Sequence, residues 1–380
     1  MKNKALIVTT TLYMVRQFLQ NDIKILQSEG YSVDIATNTE NFGMIDSNII
    51  EEFKSKLKDN DINLYQVDFS RNAFDISAHI NTYNTIKSIL DNGKYQIMHV
   101  HTPIAGAIAR VAARKNDVKV LYTAHGFHFY KGAPFINWAL YYPVEKMCSA
   151  FTDTLITINS EDYERANKKM NSKCVEYIPG IGINTSKIYT LDSETMRGKQ
   201  VELNLDTNAI NLFSVGELNK NKNHQIVINA ISQINDKNIH YYIAGKGLEK
   251  DNLIELADKL KIADRIHFLG FRTDVKELYQ LFDIFVFPSF REGLSVSLME
   301  AMASRLPCAV SNIRGNVDLI DEKGGCLFLP NEVSQCKEAI EKLISLDMCE
   351  IGRYNAEKVK RFDEKVVQNR MKEIYKNTLS

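Results

Sequence analysis

The chain has 380 residues, 47 basic against 47 acidic side chains, and 44% hydrophobic and 25% charged residues. This composition is that of an ordinary globular protein and excludes a disordered or fibrous one. A formal net charge of +0 excludes a general attraction to polyanions, so nucleic acid is not an expected partner. Because the length exceeds the roughly 250 residues at which one hydrophobic core stops growing, two domains are predicted.

Neither a signal peptide nor a membrane span is predicted. The first apolar stretch, residues 5–8, is too short for a signal peptide and is predicted to be a buried strand. The longest apolar stretch, residues 97–113, is broken by two histidines, Pro103 and Arg110, whereas a membrane helix needs about 20 apolar residues in a row. The six cysteines have no C-x-x-C or zinc-ligand spacing and are expected to be reduced core residues. We therefore expect a cytoplasmic protein.

Apolar runs and amphipathic segments alternate along the first half of the chain. Helices are predicted at residues 15–28 and 105–114, and strands at residues 5–9, 33–37, 97–100, 119–123 and 154–158. Such alternation is typical of a mostly parallel sheet covered by helices on both faces. Residues 1–184 are thus predicted to form a first Rossmann-like, doubly wound domain.

A polar stretch rich in Thr, Asp and Asn, residues 184–208, is predicted to be the hinge. Beyond it, strands are predicted at residues 210–215, 239–244, 265–269, 284–287 and 308–310. We assign residues 185–362 to a second Rossmann-like domain. Residues 363–380 are predicted to be a charged amphipathic helix, for which packing back on the first domain is one option.

The expected ligand site is an interdomain cleft, because ligands of open parallel sheets bind beyond the carboxyl ends of the strands. Neither domain carries G-x-G-x-x-G after its first strand, which disfavours a nicotinamide-dependent dehydrogenase. No G-x-S-x-G elbow and no G-x-x-x-x-G-K-[ST] loop occurs, so the corresponding hydrolases and nucleoside triphosphatases are rejected.

The most informative stretch is residues 285–303, FVFPSFREGLSVSLMEAMA, which are predicted to be a strand, a tight loop and a helix. Glu292 lies at the strand end, Gly293 lets the backbone approach a ligand closely, and the helix begins near Ser295. Backbone N–H groups at such a helix start suit a diphosphate. Glu300, more than one turn into the helix, can reach hydroxyls of the same ligand.

Glu292 and Glu300 match the E-x7-E motif, and the surrounding residues resemble family 4 of the retaining glycosyltransferases with the GT-B fold. The resemblance implies that Glu292 contacts the donor sugar and that Glu300 holds the ribose. It also implies that Gly293 admits the donor phosphates to the N–H groups of Leu294 and Ser295, and that no cofactor or metal ion is needed. The alternative for an arbitrary E-x7-E pair is two solvated surface charges, but the neighbouring motifs favour the site.

Residues 213–223, FSVGELNKNKN, resemble the strand and loop with which this family binds the donor diphosphate. Gly216 and Glu217 begin that loop, and Lys222 is the matching cation, which can stabilise charge on the leaving diphosphate without a metal. The alternative for Lys222 is an exposed lysine in an Asn-rich loop. The family usually has Arg after the glycine, so Glu217 leaves one positive phosphate contact missing or replaced.

Two further turns of the second domain resemble the family. Residues 244–247, AGKG, are similar to its G-x-G turn, and residues 269–272, LGFR, to the loop that packs against the nucleotide base. Gly245 and Gly247 are as consistent with a simple tight turn as with ligand contact. Arg272 is expected to contact the donor through its backbone.

Residues 120–130, VLYTAHGFHFY, place His125 directly after a buried strand and before Gly126. In the family that the chain resembles, this histidine lies near the donor sugar and the reaction centre, which implies a catalytic role for His125. The alternative is a partly buried structural histidine. The resemblance gives His128 no definite role, and residues 9–16 lack the glycine pair often found in the family's first loop.

Residues 129–143, FYKGAPFINWALYYP, are unusually aromatic and contain Lys131. Exposed aromatic side chains beside a lysine favour docking on a membrane interface or a polyprenyl-linked acceptor, whereas the commoner alternative is plain core. Residues 123–163 as a whole look like bacterial family 4 enzymes of capsular and exopolysaccharide assembly. That likeness implies a polyprenyl-diphosphate-linked saccharide acceptor and peripheral contact with the inner face of the cell membrane.

The resemblance thus predicts a retaining glycosyltransferase with a UDP-sugar donor, and an N-acetylated hexosamine or deoxyhexosamine is the expected sugar. Its predicted catalytic residues are His125, Lys222 and Glu292. Residues 59–61 spell the D-x-D of metal-dependent glycosyltransferases of the other main fold, but they follow a Lys-rich segment and are predicted to be a turn. Two alternatives stay open: a non-hydrolysing sugar-nucleotide epimerase on the same fold, and a non-catalytic sugar-nucleotide-binding protein.

Overall fold

The computed structural model describes residues 3–40, 47–70, 72, 74–186 and 191–379. The chain divides into two compact units. The first comprises Met1–Ile181 and Lys365–Ser380, and the second comprises Gly182–Glu364. The first unit therefore resumes after the second one, at the C-terminal segment.

Parallel strands form the centre of the first unit. Its described strands are β1 (Asn3–Thr11), β2 (Tyr31–Asn38), β3 (Leu64–Gln66), β4 (Ile97–His101), β5 (Lys119–Ala124), β6 (Thr154–Thr157) and β7 (Cys174–Tyr177). They build one seven-stranded sheet in the order β3-β2-β1-β4-β5-β6-β7. The middle strands are buried on both faces, which explains why their sequences are apolar runs.

Helices cover this sheet. They are α1 (Leu12–Phe18), α2 (Gln20–Ser28), α3 (Ser47–Asp59), α4 (Ile76–Gly93), α5 (Pro103–Ala113), α6 (Phe135–Ser149) and α7 (Ser160–Lys169). The single helix predicted at residues 15–28 is wrong, because the chain leaves helical geometry at Leu19 (φ −109°, ψ 6°) and forms two helices. The turn predicted at residues 59–61 forms at Asn60 and Asp61, where Asp61 has a φ of 56°, whereas Asp59 is the last residue of α3.

The second unit repeats the architecture. Its described strands are β8 (Ile210–Val215), β9 (Ile239–Ala244), β10 (Ile266–Gly270), β11 (Ile284–Phe287), β12 (Cys308–Ser311) and β13 (Gly325–Phe328). They form a six-stranded parallel sheet in the order β10-β9-β8-β11-β12-β13. The predicted α/β class with two doubly wound parallel sheets is confirmed.

The helices of the second unit begin inside the predicted hinge. They are α8 (Ser193–Glu202), α9 (His224–Gln233), α10 (Lys250–Lys259), α11 (Val275–Leu278), α12 (Val296–Ala303), α13 (Asn316–Leu319), α14 (Val333–Ile344) and α15 (Met348–Lys358). The segment predicted to be the hinge, residues 184–208, thus contains one helix, α8, which the sequence analysis did not predict. This helix begins after its N-cap, Asp192. Because it has no buried residue, it lacks the apolar face by which a helix is recognised in a sequence.

The last helix, α16 (Glu364–Leu379), packs within the first unit from residue 365 onward. Val367, Met371, Ile374 and Tyr375 form its buried face. The expectation that all cysteines are core residues is wrong for two of them, since Cys174 and Cys349 are exposed, at the start of an edge strand and in the first turn of a surface helix.

Candidate active site

The strand order of the second sheet reverses between β8 and β11, which lie side by side, with Leu212 opposite Ile284. Ligands of open α/β sheets bind at such a reversal, beyond the carboxyl ends of the strands. The loop after β8 carries Lys222 and the loop after β11 carries Glu292. The Lys222 Nζ lies 2.8 Å from the Glu292 Oε1. The fold thus brings together two predicted catalytic residues that are 70 positions apart in the sequence.

Backbone contacts hold these two loops against each other. The Phe290 N–H donates to the Asn221 carbonyl at 2.8 Å, and the Asn221 side-chain amide donates to the Arg291 carbonyl at 3.0 Å. The side chains of Lys222 and Glu292 keep 20% and 16% of their surface exposed. The ion pair is therefore fixed in place and still open to a ligand.

Helix α12 begins directly after the Glu292 loop. Ser295 is its N-cap, and the Ser295 Oγ accepts a hydrogen bond from the Leu298 N–H at 3.3 Å. The predicted helix start near Ser295 is thus confirmed. The first N–H groups of a helix have no partner within it and carry partial positive charge, which suits a phosphate. Leu294 is buried, so a contact of this residue with a donor would come from its backbone.

Glu300 lies more than one turn inside α12. Its Oε1 is 3.7 Å from the Nζ of Lys276. Burial raises the pKa of the Glu300 carboxyl above its ordinary value, while Lys276 and Tyr279 act in the opposite direction. Because a partly desolvated carboxylate gains from hydrogen-bond donors, Glu300 is suited to bind hydroxyl groups.

The glycines of the predicted donor site allow backbones to approach each other. A Cβ added to Gly245 would lie 1.8 Å from the Gly216 carbonyl oxygen, and one added to Gly247 would lie 2.3 Å from the Leu218 carbonyl oxygen. The Gly245 turn therefore packs against the start of the Lys222 loop. Ligand contact by Gly216 and Gly245 stays a prediction. In the structure, the close packing against Gly216 is what requires a glycine at position 245.

Arg314 was missed in the sequence, although it follows β12, the next strand of the sheet. Its Nε donates to the Glu292 carbonyl at 3.1 Å, and the side chain is buried. Gly315 beside it has a φ of 78°, and an added Cβ would meet the Gly293 carbonyl at 2.2 Å. The signal that could have revealed Arg314 is a basic residue before a glycine at a strand end. Glu217, which replaces a usual arginine, is exposed.

The side chain of Arg272 is engaged in ion pairs within the second unit. Its Nε and Nη2 donate to the two oxygens of Asp274 at 2.8 and 2.7 Å, and its Nη1 donates to Glu202 at 2.6 Å. The Arg272 guanidinium holds the pKa of the Asp274 carboxyl well below its usual range. Contact of Arg272 with a donor through its backbone stays a prediction.

In the first unit, β5 ends at Ala124 and His125 follows, before a turn at Gly126 with a φ of 130°. His125 lines a cavity of about 30 Å³ together with Asp22 and His101, which sequence reasoning missed. Burial lowers the pKa of the His125 imidazole to about 4, so the ring is neutral at pH 7. Such a ring can bind an uncharged sugar hydroxyl.

The aromatic segment at residues 129–143 divides between core and surface. Phe129 is buried, and its ring centroid lies 5.6 Å from that of Trp138 and 5.4 Å from that of Tyr142. Phe135 and Ile136, at the start of α6, are 85% and 58% exposed. Both interpretations of the segment therefore apply, each to a different part. Within the described residues, no helix has the length and apolarity that crossing a membrane requires.

Comparison with known families shows two matches that follow the two units. Residues 5–159 match the "Glycosyl transferase 4-like" family, and residues 197–364 match "Glycosyl transferases group 1". EpsD of Bacillus subtilis (strain 168), which is named as a glycosyltransferase, is 34% identical over 99% of this chain and 97% of its own length.

Two further proteins are similar to this chain, one in sequence and one in structure. The UDP-Gal:alpha-D-GlcNAc-diphosphoundecaprenol alpha-1,3-galactosyltransferase of Escherichia coli is 28% identical over 71% of this chain and 70% of its own length. The crystal structure of Anabaena Alr3699/HepE in complex with UDP superposes with a TM-score of 0.77 at 17% identity, covering 99% of this chain and 100% of that one. This likeness shows the fold.

Paired parallel-sheet units, with a lysine and a carboxylate meeting at the strand reversal of the second, define an enzyme of the GT-B class. The chain belongs to the family 4-like GT-B glycosyltransferases. Within that family it is similar to bacterial exopolysaccharide enzymes.

Proposed function

We propose that this enzyme is a retaining glycosyltransferase that moves a sugar from a UDP-sugar to a polyprenyl-diphosphate-linked saccharide, in the assembly of a bacterial capsular polysaccharide or exopolysaccharide. The observation that carries the proposal is the Lys222–Glu292 pair at the reversal of the second sheet. The name of the E. coli relative supports this donor and acceptor class, and the UDP of the HepE complex supports the nucleotide.

The chemistry of the pair explains how a donor would bind. A nucleotide diphosphate carries more negative charge than one carboxylate, so it would compete with Glu292 for the Lys222 ammonium. Glu292 would then be available to accept hydrogen bonds from the sugar hydroxyls. Lys222 and the start of α12 would supply the positive charge that stabilises the leaving diphosphate, and we propose that no metal ion takes part.

The stereochemistry and the sugar rest on the family resemblance. Attack on the anomeric carbon from the face that the diphosphate leaves retains the configuration, and His125 is proposed to bind the sugar near that carbon. We propose an N-acetylated hexosamine or deoxyhexosamine as the transferred sugar.

The first experiment measures thermal protection by UDP, GDP, ADP and NAD. A ligand that binds only the folded state at about 100 times its Kd stabilises that state by about 2.7 kcal/mol. We expect protection by UDP, and its loss in Glu300→Gln. The matched control is Glu338→Gln, which changes an exposed glutamate on α14 of the same unit. Protection by NAD alone would overturn the proposal.

The second experiment separates a transferase from an epimerase and from a binding protein. The enzyme is incubated with UDP-N-acetylhexosamines, with and without N-acetylglucosamine linked to a short polyprenyl diphosphate. A transferase releases UDP faster when acceptor is present, and Lys222→Met should abolish that increase because the diphosphate loses its cation. Conversion of the donor without acceptor would indicate an epimerase, and loss of activity in EDTA would contradict the metal-free mechanism.

We further propose that the enzyme contacts the membrane through an apolar rim, which consists of Phe74, Ile76, Ile80, Phe135 and Ile136. These side chains are all more than half exposed. Phe74 also lines an apolar cavity of about 360 Å³ between the start of α4 and helices α5 and α6. An exposed apolar group of this kind in a folded protein marks an interaction surface.

Vesicles of phosphatidylcholine and phosphatidylglycerol test the rim. Burying one large apolar side chain contributes about 1.5–3 kcal/mol, so Phe135→Ser with Ile136→Ser should weaken vesicle binding by at least about tenfold. The control is Leu248→Ser, which removes a 95% exposed leucine from the second unit. Equal binding of both variants would refute this role of the rim.

A further inference from the structure

Histidines cluster at the carboxyl ends of β4 and β5 in the first unit. His99 and His101 lie on β4, and His125 follows β5, with His101 paired opposite Thr123 in the sheet. The Nδ1 of His101 lies 3.1 Å from the Nε2 of His125, which is hydrogen-bond distance. The His101 side chain is buried. The ring of His125 is therefore held from one side by a second, buried imidazole.

Only one of the two facing nitrogens can carry the proton of this hydrogen bond. Burial lowers the pKa of both rings, to about 4 for His125 and well below the ordinary value for His101, so each is neutral and has one N–H. The other nitrogen of His101, Nε2, is buried and has no hydrogen-bond partner among the described residues. A buried N–H without an acceptor is rarer than an unsatisfied acceptor, so the proton of His101 belongs on Nδ1.

The proton of His125 follows from this assignment. If the Nδ1–H of His101 donates to the Nε2 of His125, that Nε2 is an acceptor and the proton of His125 lies on its Nδ1. Nδ1 is on the other side of the ring from the contact with His101. His125 would then present a hydrogen-bond donor, suited to a hydroxyl or ring oxygen, and could not act as a general base through that nitrogen.

We propose that His101 is a positioning residue that fixes His125 as the Nδ1–H tautomer, so that this N–H donates to an oxygen of the sugar. The inference rests on the proposed function, in which His125 binds the sugar, and adds the residue that orients it. No motif in the sequence marks His101, because its partner belongs to a different strand.

His99 shows what a purely structural histidine looks like in the same place. Both of its nitrogens are used, at 2.7 Å from the Tyr375 hydroxyl and 2.8 Å from the Thr123 hydroxyl. Its ring contacts that of His101, with the centroids 4.1 Å apart and the planes tilted by 42°. His99 thereby joins α16 to the sheet, whereas among the described residues the ring of His101 is hydrogen-bonded to His125.

Nuclear magnetic resonance tests the tautomer directly. Long-range proton–nitrogen correlation spectra of the full chain, labelled with ¹⁵N-histidine, distinguish protonated from unprotonated ring nitrogens. The His125 signals are assigned by their loss in His125→Gln. We expect Nδ1 of His125 to be protonated in the wild type and Nε2 to gain proton in His101→Leu. A wild-type His125 that is protonated on Nε2 would overturn the inference, whatever the activity of the enzyme.

Kinetics test the consequence. His101→Leu removes one hydrogen bond and should lower kcat by about tenfold, with KM for the donor changed by less than about twofold. His101→Asn keeps an N–H at the place of Nδ1–H and should restore most of the loss. Tyr375→Phe, which removes the partner of His99, is the control for a general disturbance of the cluster, and melting temperatures verify that each variant folds.

The outcomes separate this inference from the proposed function. If the wild type transfers sugar while His101→Leu and His101→Asn both keep its kcat, the positioning role is wrong and the transferase function stands. If the wild type transfers no sugar to any acceptor, the proposed function fails, and the tautomer in the spectrum still decides whether His101 orients His125.

Discussion

Gly245 offers the sharpest test of how the donor site is built. In Gly245→Ala, the new Cβ would lie 1.8 Å from the Gly216 carbonyl oxygen and 2.9 Å from its carbon. Both atoms belong to the backbone, so no rotamer change relieves the overlap. The turn after β9 must move away from the Lys222 loop by more than about 1 Å, and overpacking of this kind costs about 3 kcal/mol. Since about 1 kcal/mol shifts the melting temperature of such a domain by 2–4 °C, we expect a decrease of about 6–12 °C.

Differential scanning calorimetry measures this decrease, and UDP is added to measure the retained thermal protection. The protection should fall as well, because the displaced loop carries Lys222. Gly198→Ala is the matched control: its Cβ would meet no atom within 4 Å, and the residue lies inside α8, where alanine is the better helix former by up to about 1 kcal/mol. A Gly245→Ala protein that melts with the wild type and keeps its UDP protection would refute the packing argument.

Two predictions concern charged groups that the first unit removes from water, fully for Arg110 and in part for Asp22. Arg110→Met leaves the Glu145 carboxylate, now 2.9 Å from the Arg110 Nη2, without its cation, which should lower the unfolding free energy by about 3–5 kcal/mol. Adding Glu145→Leu to Arg110→Met should recover most of the lost unfolding free energy. Thermal unfolding measures this, and a double variant that is less stable than Arg110→Met alone would contradict the prediction. Burial raises the pKa of Asp22 from 3.8 to about 7, so its protonated form stabilises the fold at low pH and this contribution is lost as the pH rises through 7. The melting temperature of the wild type, relative to that of Asp22→Asn, should therefore decrease as the pH rises from 3.8 to 7. A difference in melting temperature that does not depend on pH would contradict the raised pKa of Asp22.

The central strands and most of the second-unit site could be predicted because the residues that identify them lie close together in the sequence. Strands β8 and β11 are mostly apolar runs. Glu292, Gly293 and Ser295 follow one another in the loop after β11 and at the start of α12. Lys222 lies in a loop whose neighbours resemble a known pattern. The contact of Lys222 with Glu292 could not be predicted from the sequence, because it depends on β8 and β11 being neighbours in the sheet.

Some of the elements that escaped prediction are short or lie at the surface. Strand β3 has three residues, β7 lies at the edge of its sheet, and α8 buries no residue. None of them produces the apolar periodicity on which prediction depends. Arg314 and His101 escaped for a different reason: each acts on a residue of another strand end, and a single sequence does not show which strands are neighbours.

The candidate site of the second unit is charged, whereas that of the first unit is neutral. At the strand reversal of the second sheet, a lysine and a glutamate remain partly exposed as ions, which suits a ligand part that carries formal charge. At the strand ends of the first sheet, desolvation keeps the imidazoles of His101 and His125 neutral, which suits hydroxyl groups that carry no charge. A nucleotide sugar has both kinds of group, in its diphosphate and in its sugar ring. A charged residue at His101 would lose its hydration without gaining a counter-charge. A neutral residue at Lys222 would leave the diphosphate without a counter-charge. The chemistry of each unit therefore follows from the part of the ligand that we propose it binds.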